Sequence, residues 1–192
     1  PEPATGFVPT ATLPDGGPKV SRRANGTTLP LSDEAIRHVF GIFPYQEAAK
    51  GAIRIDPNWV KANIIELKSP LLSDEGFPTI RVHQSAARHF VAVFDEIASA
   101  GLTGIILTCA GTFVPRHKGW NPNRGLSSHS WGVAIDLNVA WNGYGRTPAA
   151  PGTVGSLHEI VPIFERHGFA WGGYFSSPFE DGMHFELARS DP

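Results

Sequence analysis

The chain has 192 residues, 41% hydrophobic and 18% charged, which is the balance of one globular domain with a sizeable core rather than of a disordered segment. A formal net charge of −2 and scattered Lys and Arg exclude a broad basic surface for nucleic acid or an anionic membrane. No run approaches the ~20 apolar residues of a membrane span. The single cysteine, Cys109, excludes an internal disulfide and a thiolate metal cluster.

Residues 1–30 are rich in Pro, Gly and Thr without sustained periodicity and read as an extended arm or linker, with the body running from 31 to 192. In LSDEAIRHVFG, Ser32 is placed to cap a short helix that Gly41 ends. AIRI (52–55) alternates as a short strand does, and DPNW after it reads as a turn. The clearest helix lies within HQSAARHFVAVFDEIASAGL, where Ala87, Phe90, Val91, Phe94, Ile97 and Ala98 recur at three- and four-residue intervals and Gly101 supplies the stop.

GIILTCAG then reads as a buried strand holding Cys109 as a structural thiol. The loop TFVPRHKGWNPNRGLSSHSWG is long enough to be functional or disordered. GVAIDLNVA is a further strand. SLHEIVPIFERHG opens with a capping-box pattern, Ser156 with Glu159, and Pro162 delays or kinks its helix before Gly168 ends it. GFAWGGYF and MHFEL close the chain as strands. Helices with hairpin-spaced strands, rather than regular βαβ units, predict an α+β fold with an antiparallel sheet flanked by helices.

Two of these segments carry chemistry. Strand alternation puts Val133, Ile135 and Leu137 on one face of VAIDLN and Ala134, Asp136 and Asn138 on the other; in MHFEL it puts His184 and Glu186 opposite Phe185 and Leu187. Seven residues separate His129 from Asp136, and Gly132 between them permits the bend that brings the two together. His129, Asp136 and His184 then form a ligand set for zinc that leaves a fourth position for water, as catalytic sites do. Such a site needs a carboxylate to move the proton. Asp181, three residues before His184, is the first candidate, Glu180 is the fallback, and Glu186 suits a role orienting a ligand.

Taken singly these residues have plainer readings: His129 as a surface histidine, Asp136 as the partner of an arginine, His184 as a satisfied core histidine. Their joint spacing favours the metal. The histidines at 38, 83, 89, 158 and 167 read as structural, and His117 as solvent-facing. Trp120, Trp131, Tyr144 and Trp171 are candidates for a peptide groove or for packing.

Ser127, His129, Gly132, Ala134 and Asp136 fill the pattern SxHxxGxAxD, and Asp181 to Phe185 fill an acid, two residues, His and an aromatic. Together they resemble the signature of the D-alanyl-D-alanine carboxypeptidase type of zinc metallopeptidase. That family includes vancomycin-resistance carboxypeptidases and dipeptidases and phage L-alanyl-D-glutamate endolysins. The resemblance covers about residues 80 to 188 and implies the fold shared with the hedgehog signalling domain. It implies zinc held by His129, Asp136 and His184, and Asp181 as acid/base where many members have Glu. It also implies Arg116 steadying a substrate carbonyl or carboxylate, and Ser127 touching substrate.

The activity implied by the resemblance is that of a zinc-dependent peptidase acting on peptidoglycan stem peptides, cutting either D-Ala-D-Ala or L-Ala-D-Glu. The WGG-then-DxxHFEL ending leans toward the second. The resemblance further implies work in the cell envelope or outside the cell, by secretion, in the periplasm or delivered by phage. A monomer is expected. The alternatives are a zinc-bearing binding module of the same fold without turnover, and a hydrolase of another amide.

Overall fold

Period-two segments in the C-terminal half pair into the sheet that holds two of the three candidate ligands, Asp136 and His184. The computed structural model describes residues 19–68 and 79–192. Its central sheet is antiparallel and four-stranded, built from β5 (Cys109–Gly111), β6 (Ala134–Leu137), β7 (Phe169–Trp171) and β8 (His184–Leu187) in the order β5-β6-β8-β7. Two hairpins stand beside it: β1 (Tyr45–Glu47) with β2 (Ile53–Ile55), and β3 (Ile64–Lys68) with β4 (Thr79–His83). The helices are α1 (Asp33–Phe40), α2 (Pro57–Asn63), α3 (Ala87–Ser99), the single turn α4 (Val139–Asn142) and α5 (Val161–Arg166). The class is therefore α+β with antiparallel sheets, as the strand spacing suggested.

One apolar core joins these layers. Phe90, Val93, Phe94 and Ile97 of α3 meet Ile163 and Phe164 of α5 and the inward strand residues Ile135, Leu137, Phe169, Phe185 and Leu187. Phe164 stacks on Phe185 at 4.0 Å between ring centroids. The buried face of α3 differs slightly from the periodic stripe: His89 and Val93 are inside, while Val91 and Ala98 face outward. The stripe is rotated because the helix starts at Ala87 and packs on both α5 and the sheet. Its end is as expected, with Gly101 in the left-handed region at φ 70°.

Local signals account for most boundaries. The Ser32 hydroxyl accepts from the Ala35 amide and caps α1. Val161 and Pro162 open α5, so the proline sits where its missing N–H costs nothing. DPNW is not a turn: the Asp56 side chain accepts from the Asn58 amide at 2.7 Å and caps α2, with Pro57 in its first turn.

GIILTCAG is a strand over only its last three residues. The Asn138 side chain is the reason. Its Oδ1 accepts from the Leu107 and Thr108 amides and its Nδ2 donates to the Ile105 and Gly155 carbonyls, replacing strand pairing with side-chain bonds.

Residues 1–18 of the segment read as an arm lie outside the described residues. Residues 19–30 lie against the body. Val20 is buried, the Thr28 amide donates to Glu165, and the Ser190 amide donates to the Lys19 carbonyl.

Candidate metal centre

Strand register makes the first contact. Asp136 of β6 and His184 of β8 are direct cross-strand partners, so their side chains leave the sheet side by side on one face. His129 comes from the turn before β6, a single 3-10 turn over Ser128–Trp131 that ends at Gly132 with φ 67°. A side chain at Gly132 would meet the His83 amide nitrogen at 3.0 Å and the Val82 carbonyl carbon at 3.3 Å, besides adopting a left-handed backbone. Glycine there lets the turn fold back and deliver His129 over Asp136.

The three ligand atoms converge. His129 Nε2 lies 3.1 Å and His184 Nδ1 3.0 Å from Asp136 Oδ1, and the two imidazole nitrogens are 3.2 Å apart. All three residues are buried. Tetrahedral zinc with bonds of about 2.0–2.1 Å separates its ligand atoms by about 3.3 Å. The cluster has nearly those edges before any ion is considered.

The other ring nitrogens say where the protons are. His129 Nδ1 donates to the Thr112 carbonyl at 2.9 Å, and His184 Nε2 donates to Glu186 at 2.7 Å. Each ring therefore aims its other nitrogen at the centre, where it offers a lone pair once deprotonated, the arrangement of a metal-ligating histidine with an outer partner. Two lone pairs and a carboxylate facing one point call for positive charge there. Burial opposes ionisation of Asp136, but the charges and hydrogen bonds of His129 and His184 outweigh it and hold its carboxyl well below the usual carboxylate range. Burial likewise opposes a charged His184, yet Asp136 and Glu186 push its imidazole up to about 10, so a proton on Nδ1 supplies that positive charge until a metal ion displaces it. The donor set fits zinc.

Asp181 stands in the same cleft, an opening of about 1020 Å³ that His184, Arg116, Ser127 and Ser128 also line. Its backbone is pinned by bonds to the Gly172 carbonyl and from the His184 amide, and the Trp171 indole N–H holds the next carbonyl, that of Gly182, at 2.7 Å. Asp181 Oδ1 is buried without a hydrogen-bond partner among the described residues. Burial is the main cause that raises its carboxyl to about 6. Glu180 is not among the residues lining the cleft.

Arg116 reaches the cluster from the long loop. Its guanidinium donates to Ser127 Oγ at 2.7 Å and lies 3.6 Å from Asp136 Oδ2. The Ser130 hydroxyl fixes the Arg116 backbone, accepting from its amide and donating to its carbonyl. His129, Asp136, His184, Asp181, Arg116 and Ser127, each singled out from sequence, thus meet in one place. Sequence reasoning missed Ser128, whose hydroxyl donates to Glu186 at 2.6 Å and steadies the outer partner of His184. The run SSHS held that signal, a serine on either side of the histidine.

His117 departs from its expected place: it is buried, not solvent-facing, with Nε2 3.0 Å from Glu47 and Nδ1 donating to the Arg124 carbonyl. Trp131 and Trp171 belong to the core, whereas Trp120 and Tyr144 line the cleft.

Residues 120–187 match the family model described as D-alanyl-D-alanine carboxypeptidase, a span containing His129, Asp136, Asp181 and His184. Over this segment the chain is similar to that family, in agreement with the two motifs read from the sequence. Members of this carboxypeptidase family are zinc-dependent peptidases, in keeping with the ligand set. Arg116 lies just before the matched span and so rests on geometry alone. No solved structure gives a significant match to the chain.

Proposed function

We propose that the protein is a zinc peptidase that hydrolyses peptidoglycan stem peptides. The observation that carries this reading is a buried cluster of three ligand atoms spaced for zinc, whose His184 lines the same cleft as a buried carboxylate with an unpaired oxygen, Asp181. Zinc bound by His129, Asp136 and His184 would supply Lewis acidity toward an amide carbonyl and toward water.

The chain's own residues supply the rest. The Asp181 carboxylate takes a proton from the attacking water and passes it to the leaving amine. A carboxyl raised toward neutrality by burial is suited to both steps. The Arg116 guanidinium, held by Ser127 and facing Asp136, presents N–H groups to a substrate carbonyl or carboxylate. Glu186 and Thr112 keep the two imidazoles oriented. Action on stem peptides would call for work in the cell envelope or outside the cell, and we propose a monomer.

Defined muropeptides incubated with the zinc-loaded protein, with and without chelator, and read by mass spectrometry test this. Chelator-sensitive loss of terminal D-Ala identifies a carboxypeptidase, and a new D-Glu amine identifies an L-alanyl-D-glutamate endopeptidase. Zinc bound without cleavage of either bond would leave a binding module instead.

A further inference from the structure

The loop that delivers Arg116 also brings Lys118 and Arg124 to the cleft. Two of these three cations have acidic partners: Arg116 faces Asp136, and Lys118 pairs with Asp33. Arg124 has no carboxylate within ion-pair distance among the described residues. Its guanidinium donates instead to the Tyr144 hydroxyl at 3.2 Å and lies 6.0 Å from the ring centroid of Phe179. Tyr144 follows β6 and α4, and Phe179 precedes β8, so three separate segments meet around this charge. Both rings remain open to solvent, at 42% and 50%.

The backbone beneath Arg124 is anchored. Its carbonyl accepts from buried His117 at 2.5 Å, whose other nitrogen is tied to Glu47 of β1. The Lys118 amide donates to the Gly125 carbonyl, closing the loop on itself. Within it Trp120 holds a left-handed φ of 57°, and Gly51 packs so closely that a Cβ would lie 2.2 Å from the Trp120 carbonyl oxygen. A strained non-glycine residue kept in place by tight packing belongs to a loop whose shape matters. A guanidinium that lines the cleft on an anchored backbone, with aromatic flanks and a hydroxyl alongside, is the chemistry that recognises a planar carboxylate.

We propose that Arg124, with Tyr144 beside it, binds a carboxylate borne on a residue of the peptide substrate, so that the cleft selects acidic peptides. This rests on the peptidase reading and adds the substrate class to it. Arg124 is a specificity residue here; the bond-breaking groups are those of the metal centre.

The test compares two stem pentapeptides that differ in one group, D-Glu with its free α-carboxylate and D-isoglutamine with a carboxamide there. The wild-type protein should cut the acid form with kcat/KM about tenfold higher, a typical effect of one charge-assisted bond. Arg124→Gln should bring that ratio close to one, mainly through KM. A wild-type ratio of one, or a ratio unchanged in Arg124→Gln, overturns the proposal. Calorimetric binding of the same two peptides to chelator-treated protein gives the ratio without turnover. If neither peptide is cut, the peptidase reading falls, and the binding ratio alone decides Arg124. Failure of both to bind overturns it.

Discussion

At the scale of single residues, the site depends on which atom of each side chain is left free. His184 has one nitrogen for the cluster only because Glu186 takes the other, and Glu186 is held in turn by Ser128. Glu186→Gln is expected to weaken zinc about 10–100-fold, and Ser128→Ala by less, in a competition titration against a coloured chelator. Asp181 binds no metal in this arrangement. Asp181→Asn should retain zinc while kcat falls by about 10²–10⁴-fold, and an active Asp181→Asn would remove it from the chemistry.

Asp136 and His184 are legible in the sequence because an acid or histidine within an apolar strand pattern needs a reason, and His129 and Asp181 because of their spacing from those two. Ser128 and the Thr112 carbonyl are not, because the partner of a ring nitrogen depends on how distant segments meet. His117 looks solvent-facing in sequence for the same reason: its partners, Glu47 and the Arg124 carbonyl, come from a separate hairpin and from the far side of its own loop.

At the scale of elements, strand alternation and register do most of the placing. Once VAIDLN and MHFEL are antiparallel neighbours, Asp136 and His184 stand opposite each other. Sequence and structure part where a side chain replaces backbone pairing or where one signal has two meanings. Asp-Pro in DPNW suits a turn and equally a capped helix start, and the helix prevails. GIILTCAG has the composition of a strand, but Asn138 satisfies Leu107 and Thr108 instead.

Asn138 itself holds a left-handed φ of 50° directly after Leu137, and its side chain makes four backbone hydrogen bonds. Asn138→Ala leaves those groups without partners beneath β6. It should cost about 2 kcal/mol or more in urea unfolding. A loss below a few tenths would mean the loop re-pairs without it.

At the scale of the whole molecule, stability should depend on pH through a histidine outside the ligand cluster. Burial is the main cause that lowers His89 from 6.5 to about 4, helped by the positive charges of Arg189, Arg88 and His167. A histidine with its folded value lowered binds more protons when unfolded, so its contribution to stability is present above about 6.5 and is lost as pH falls toward 4. The melting temperature should fall over that window, by roughly 2–4 °C per kcal/mol at this chain length. His89→Gln should flatten the fall, and an equally steep profile in that variant would assign it to other groups.

The α+β class is legible because helical and strand periods alternate irregularly along the chain. The packing of residues 19–30 on the body is not, because Pro, Gly and Thr look alike in an arm and in an anchored segment.

The proposed function rests on His129, Asp136 and His184 holding one zinc where they meet. Native mass spectrometry of the purified chain, equilibrated with zinc and desalted, tests that most directly. One zinc per chain, lost in His129→Ala and in His184→Ala with the fold retained by circular dichroism, is the expected result. A wild-type chain that holds no zinc, or variants that still hold one, would contradict it.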